Sequence, residues 1–330
     1  NNIYFKKKEP VSLVHFITNR CNARCSFCFI DFDDPNTFKG ELSLDEINKL
    51  TKNLGKSLLN VNLTGGEPFA RKDIIDIAKI YLKNTTIQSM YITTNASLPD
   101  RIENFAKTIN STDKELELNF QISIDDLPKN HDKVRKIENL FDNCIDTYWR
   151  LKKLNFKNVN PVVSVTVTHE NCDNIKNIFD YLTSKCRIDS LKCTIVRDEG
   201  VYKTPSEKKK KIFESYTWLT NKIQEMTKEK KINNYNLKSI QGKVHNKKDK
   251  IAWKMVSEMY MEPKFISPCH AGSLFGIITS NGLVYPCEIL EDTLLGNLRE
   301  NNMDFMKIWK NNIIRGSILL GISLTIGMMN

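Results

Sequence analysis

Residues 11–28 read VSLVHFITNRCNARCSFC. The first seven residues are a short apolar run, which predicts a buried β-strand. The loop that leaves it carries Cys21-x3-Cys25-x2-Cys28. Three cysteines this close on one loop can turn their sulfurs inward together, and thiolates suit soft metals. A structural zinc site takes four ligands, and no fourth Cys or His stands within the motif. Three thiolates on a [4Fe–4S] cube would instead leave one iron open to an outside ligand. A zinc knuckle borrowing a distant ligand, and cysteines that bind nothing, are the alternatives.

The strand is the first of six similar runs, at residues 11–17, 58–63, 87–93, 116–124, 162–168 and 191–196. Between them lie polar segments with helical spacing, at residues 44–54, 73–82, 99–109, 134–154 and 172–183. Ser43 with Glu46 forms a capping box for the first helix, and Gly55 closes it. Strands alternating with helices predict an α/β fold with a parallel sheet and right-handed crossovers. Six units are too few for a closed eight-fold barrel and suit a partial (βα)6 barrel. Ligands of such sheets gather at the carboxyl ends of the strands, where each unusual motif of this chain falls.

The second such motif is Gly65-Gly66-Glu67-Pro68, after the second run. Two glycines let a backbone come close to a ligand, and Glu67 offers an acceptor for an ammonium group. An ordinary turn with a capping Glu has the same residues. Gly55-Lys56-Ser57 looks like the tail of a phosphate-binding loop, but Leu50 stands where that motif needs glycine. A helix-to-strand turn is the expectation there.

Taken together, the cysteine and glycine motifs resemble the radical S-adenosylmethionine superfamily, whose hallmark is C-x3-C-x-aromatic-C, with Phe27 as the aromatic. The resemblance continues through Thr93-Thr94-Asn95 and Ser123-Ile124-Asp125 and covers roughly residues 11–200. It implies that Cys21, Cys25 and Cys28 hold a [4Fe–4S] cluster whose free iron chelates S-adenosylmethionine. Gly65, Gly66, Glu67 and Pro68 would bind the methionine ammonium, and Phe27 would lie near the adenine. Ser123 and Asp125 would face the ribose or the adjoining wall, and Asn95 would be a further cofactor residue; Asn171 and Arg197 are either cofactor contacts or a surface cap and a surface salt bridge. The implied reaction is reductive cleavage to a 5′-deoxyadenosyl radical that takes hydrogen from a substrate. No catalytic base is needed for that step.

Past residue 204 the character changes. Residues 205–264 read as a Lys-rich helical linker, 265–312 as a small auxiliary domain, and 313–330 as an apolar tail that suggests truncation or a shifted frame near residue 312. Within the auxiliary domain, GIITSNGLVYPC predicts a β-hairpin turning at Asn281-Gly282. Cys269, Cys287 and the following LGNLRENNMDFMKIW resemble the first half of a SPASM (twitch-like) domain, which implies an auxiliary iron–sulfur cluster. No cysteine follows Cys287, so another ligand would have to complete it. Two buried structural thiols are the alternative there, and Cys144, Cys172, Cys186 and Cys193 are expected to be core or surface thiols. The absence of a close cysteine pair at Cys269 sets the chain apart from the GTP cyclase of molybdenum-cofactor synthesis.

The net charge of +10 comes mainly from lysine. The only dense basic run, residues 208–211, has no aromatic interleaving, so a solvated surface is expected and nucleic acid is disfavoured. Nine cysteines are too sparse for a secreted disulfide scaffold, no signal-like leader opens the chain, and residues 316–329 are too short to span a bilayer. A cytoplasmic setting is expected, with flavodoxin or ferredoxin as electron donor. The substrate would be a peptide or protein, by resemblance to maturases; the alternatives are a small metabolite or cofactor precursor, or a non-catalytic metal-binding module.

Overall fold

The computed structural model describes residues 9–198, 200–234, 237, 239–262, 270–290 and 292–311. Six strand–helix units come first: β1 (Ser12–Thr18), α1 (Leu44–Lys52), β2 (Asn60–Gly65), α2 (Ile74–Asn84), β3 (Ser89–Thr94), α3 (Pro99–Thr112), β4 (Glu117–Ser123), α4 (Pro128–Arg135), α5 (Leu140–Lys153), β5 (Val159–Val167), α6 (Ile175–Asp180), β6 (Leu191–Ile195) and α7 (Lys209–Lys228). The long helix α8 (Ile240–Met261) follows, then β7 (Phe275–Ile278), β8 (Leu283–Tyr285), β9 (Gly296–Asn297) and α9 (Phe305–Asn311). The sheet order is β6-β5-β4-β3-β2-β1-β7-β8-β9, with β1 to β6 parallel in sequence order. This is the open, partial (βα)6 barrel that the alternation of runs predicts.

Alternation along each strand decides what sits where. Leu13, Leu63, Ile92, Phe120 and Val165 are almost wholly buried on the face packed by helices, each such side chain contributing about 1.5–3 kcal/mol. Along β2, β3 and β4 the residues between them are polar and less buried, whereas β1 places Val14 and Phe16 there. Asn62, Tyr91 and Asn119 stand side by side in register across β2, β3 and β4. The sheet therefore presents a polar inner face below its carboxyl ends.

Local signals were kept where they were read. The Glu46 N–H donates to Ser43 Oγ and the Ser43 N–H to the Glu46 carboxylate, completing the capping box. Lys56 and Ser57 donate their N–H groups to Glu9 at 2.7 and 2.8 Å, within the turn into β2. One helix expected over residues 134–154 is two, α4 and α5. Lys136 and Asn139 take left-handed backbone (φ 56° and 57°) and break it, and Asp132 accepts from the Phe141 N–H at the start of α5.

The hairpin turns at Asn281-Gly282, with Gly282 at φ +87°. It does not stand apart from the core: β7 pairs in parallel with β1 and extends the same sheet. Arg299 ties it to α1 through a bidentate pair with Glu46 at 2.6 and 3.0 Å. Cys269 and the apolar tail at residues 313–330 lie outside the described residues. Among the described residues, no helix is long and apolar enough to cross a membrane.

Candidate active site

The loops that leave β1, β2, β3 and β4 meet at the carboxyl end of the sheet. The cysteine loop begins at Thr18, whose Oγ1 accepts from the Arg20 N–H at 3.0 Å. Cys21, Cys25 and Cys28 are each half-buried. The Ala23 N–H donates to Cys21 Sγ at 3.3 Å, and the Cys28 N–H donates to the Cys25 carbonyl at 3.1 Å. Burial pushes all three thiols up, Cys21 to about 11; neighbouring sulfurs add to it at Cys21 and Cys28, and Asp125 and Glu170 at Cys25. Any metal bound there must therefore displace protons.

Gly65 and Gly66 explain how the second loop lies against the first. Gly65 has φ +139°, and a Cβ there would fall 2.0 Å from the Thr18 carbonyl oxygen. At Gly66 it would fall 2.3 Å from the Arg20 oxygen. The Gly66 and Glu67 N–H groups donate to those two carbonyls, both at 2.8 Å. The glycines thus allow close approach to the chain's own cysteine loop. Pro68 opens a single 3-10 turn behind them.

Glu67 is buried, and its carboxylate accepts from Phe69 N–H (3.0 Å), Thr94 Oγ1 (2.8 Å) and Asn95 N–H (2.7 Å). Burial raises it to about 7, against the pull of those hydrogen bonds and of Arg135. It ties the glycine loop to the end of β3. Asn95 in turn donates to Asn22 Oδ1 at 2.9 Å and toward Cys21 Sγ at 3.8 Å. Three loops are thereby joined beside the first cysteine.

A second cluster joins β4 and β5 to the same place. Asp125 is paired with the buried Arg135 at 2.5 Å and also accepts from the Thr166 N–H at 2.8 Å. Asn171 donates to the Asp125 and Thr166 carbonyls, both at 2.7 Å, and accepts from the Thr168 N–H. Its side chain is spent on backbone, so it acts on the site through Asp125. Ser123 ends β4, level with Ser164 of β5. Arg197 does not join this group; it pairs with Glu288, beside Cys287, at 2.9 Å.

Arg135 and His131, both on α4, are the site residues that sequence reasoning missed. The Arg135 carbonyl accepts from the Arg24 N–H at 3.0 Å, and its guanidinium lies 5.8 Å from the Phe27 ring. Burial opposes its charge, but the Asp125 carboxylate beside it outweighs that and raises its pKa. His131 is pushed down to about 3, first by burial and then by Arg135, so its ring is neutral. The neutral Nδ1 accepts from the Asp125 N–H at 3.2 Å. Pro128, at the first turn of a helix, was the available signal.

Among the described residues, no three His, Cys, Asp or Glu side chains converge on one metal position. Three thiols on one loop beside a buried cation form a donor set that suits three corners of an iron–sulfur cluster.

Comparison with known proteins agrees with this arrangement. The model of the Radical SAM superfamily matches residues 16–182, and that of an iron–sulfur cluster-binding (SPASM) domain matches residues 269–318. The sporulation killing factor maturation protein SkfB of Bacillus subtilis is 25% identical over 306 residues, covering 89% of this chain and 64% of SkfB. The chain thus spans less than two thirds of that relative. GTP 3',8-cyclase of Cronobacter sakazakii is 44% identical over 84 residues, or 24% of this chain and 25% of the cyclase. The fold is that of anSMEcpe with bound AdoMet (TM-score 0.66, 18% identity, 94% of this chain and 80% of that one). It is also that of Streptococcus suis SuiB bound to S-adenosylmethionine (TM-score 0.63, 18% identity, 94% and 68%). From the cysteine loop through the fifth strand–helix unit, the chain belongs to the radical SAM superfamily.

Proposed function

We propose that this chain is an enzyme that holds a [4Fe–4S] cluster on Cys21, Cys25 and Cys28 and uses S-adenosylmethionine to remove a hydrogen atom from a peptide or protein. When bound, that pair supplies the chemistry, in which one electron enters the sulfonium and a 5′-deoxyadenosyl radical and methionine result. The observation that carries the reading is the clamp between the cysteine and glycine loops, in which Gly66 and Glu67 donate to Thr18 and Arg20. It makes one rigid floor from the metal-ligand loop and the loop for the methionine ammonium.

Each residue then has a task. The Gly65–Pro68 backbone receives the ammonium, and Glu67 holds that backbone in place because its lone pairs serve Phe69, Thr94 and Asn95. Phe27 flanks the adenine. Asn95, Ser123 and Asp125 wall the ribose, with Asn171 bracing Asp125. Arg135 places a fixed positive charge beside Cys25, which favours anionic groups there. Arg197 braces the mouth through Glu288. Cys287, with Cys269, is the candidate pair for an auxiliary iron–sulfur cluster. A low-potential donor such as cytoplasmic flavodoxin or ferredoxin would supply the electron.

A peptide substrate is supported by the match to the SkfB maturation protein over most of the chain. It is supported too by structures of similar fold holding peptides: anSMEcpe with Cp18Cys and SuiB with its precursor SuiA. The 84-residue match to GTP 3',8-cyclase favours a small metabolite, but over a quarter of the chain only. The test is to co-express short peptides encoded beside this chain and weigh them. A mass change that needs Cys25 is expected. Unchanged peptides, with 5′-deoxyadenosine still formed, would return the small-metabolite reading.

A further inference from the structure

Nine large apolar side chains are exposed among the described residues, and five of them (Ile240, Val244, Ile251, Val256 and Met261) lie on α8. Of the described α8 residues only Gly242 is buried. Ile240, Val244 and Ile251 are four and seven positions apart and so share one face of the helix. Asp249 is nine positions, or two and a half turns, beyond Ile240. It pairs with Lys192 of β6 at 3.8 Å, so the apolar stripe faces away from the sheet. Beside that stripe, between α7 and α8, runs a groove of about 640 Å³. Phe213, Ile251 and Trp253 line it, with Lys247, Lys250 and Lys254 along one wall. Glu258, paired with Lys254 at 3.8 Å, and Glu262 stand at the far end.

We propose that this groove docks an acidic, amphipathic helical segment of the polypeptide substrate, remote from the residue that is modified; the proposal rests on the peptide-substrate reading above. An apolar stripe beside a groove accepts the apolar face of a helix with anchors at i, i+4 and i+7. The lysine wall selects glutamates on that helix's flank and speeds their approach. A folded redox protein would present a flatter face and leave the groove unfilled. Docking outside the strand ends lets a substrate be held while different residues of it enter the site.

The test uses the full chain and a fluorescein-labelled 16-residue peptide with leucines on one helical face and glutamates on the other. Its binding is read by fluorescence anisotropy without S-adenosylmethionine, so a failure of the catalytic reading leaves this result interpretable. Saturable binding that weakens with salt is expected. K247E/K250E should weaken it at least tenfold and bind a lysine-for-glutamate version better than wild type does. Ile251→Asp should also weaken it about tenfold, with 5′-deoxyadenosine formation unchanged in all variants. Melting curves that match wild type show that these surface changes leave the fold intact. No saturable binding, equal binding of both peptides, or loss of the peptide signal only to competing flavodoxin would overturn the proposal.

Discussion

The loops beneath the cysteines and the helix α8 lie on the same chain but are held in opposite ways. Glu67, Asn95, Asp125, Arg135 and Asn171 are all buried, and each bonds to a different loop or strand. Among its described residues, helix α8 packs only Trp253 and Tyr260, both partly buried, against the core, and five of its apolar residues are exposed. A buried polar network is rigid because every bond lost leaves a partner unsatisfied. An exposed helix can change its surface without that penalty. On the function proposed above, the rigid network lies where a reactive intermediate would be controlled, and α8 is the face proposed for a substrate segment.

That contrast can be broken first at Arg135. Arg135→Met leaves Asp125 buried without its cation, which should cost about 3–5 kcal/mol. Adding Asp125→Asn should recover part of it; urea unfolding of the metal-free chain under anaerobic conditions measures both. Gly65→Ala comes next, since its methyl must displace the Thr18 carbonyl. A cost of about 1–3 kcal/mol is expected, with weakened retention of iron. If Gly65→Ala melts like wild type, the clamp between the loops is not what orders the floor. The smallest effect belongs to α8. Val244→Ser, at a 60% exposed position, should change stability by no more than about 0.5 kcal/mol. A larger loss there would mean that the stripe is covered and the contrast is false.

Much of this was legible in the residues themselves. Six apolar runs, a capping box and the spacing of Cys21, Cys25 and Cys28 suffice for the parallel order and the loop that matters, because these signals are local. The use of Gly65 was not legible: it depends on a carbonyl 47 positions earlier, at Thr18. Glu67 looked like a ligand's acceptor because its three donors arrive from the end of β3 and from its own turn. Arg135 was hidden inside what looked like one helix, since nothing in the residues near Lys136 and Asn139 forces a left-handed backbone. The pairing of β7 with β1 joins Ser12 to Phe275, too far apart for any pattern to show.

The central claim is that Cys21, Cys25 and Cys28 hold a cluster that cleaves S-adenosylmethionine. Anaerobic reconstitution with iron and sulfide, followed by reduction and assay for 5′-deoxyadenosine, tests it with iron counted on the same sample. The account predicts 5′-deoxyadenosine from the wild-type chain with at least about four irons, and none from Cys25→Ala. Bound zinc without visible absorption, or undiminished 5′-deoxyadenosine from Cys25→Ala, would contradict it.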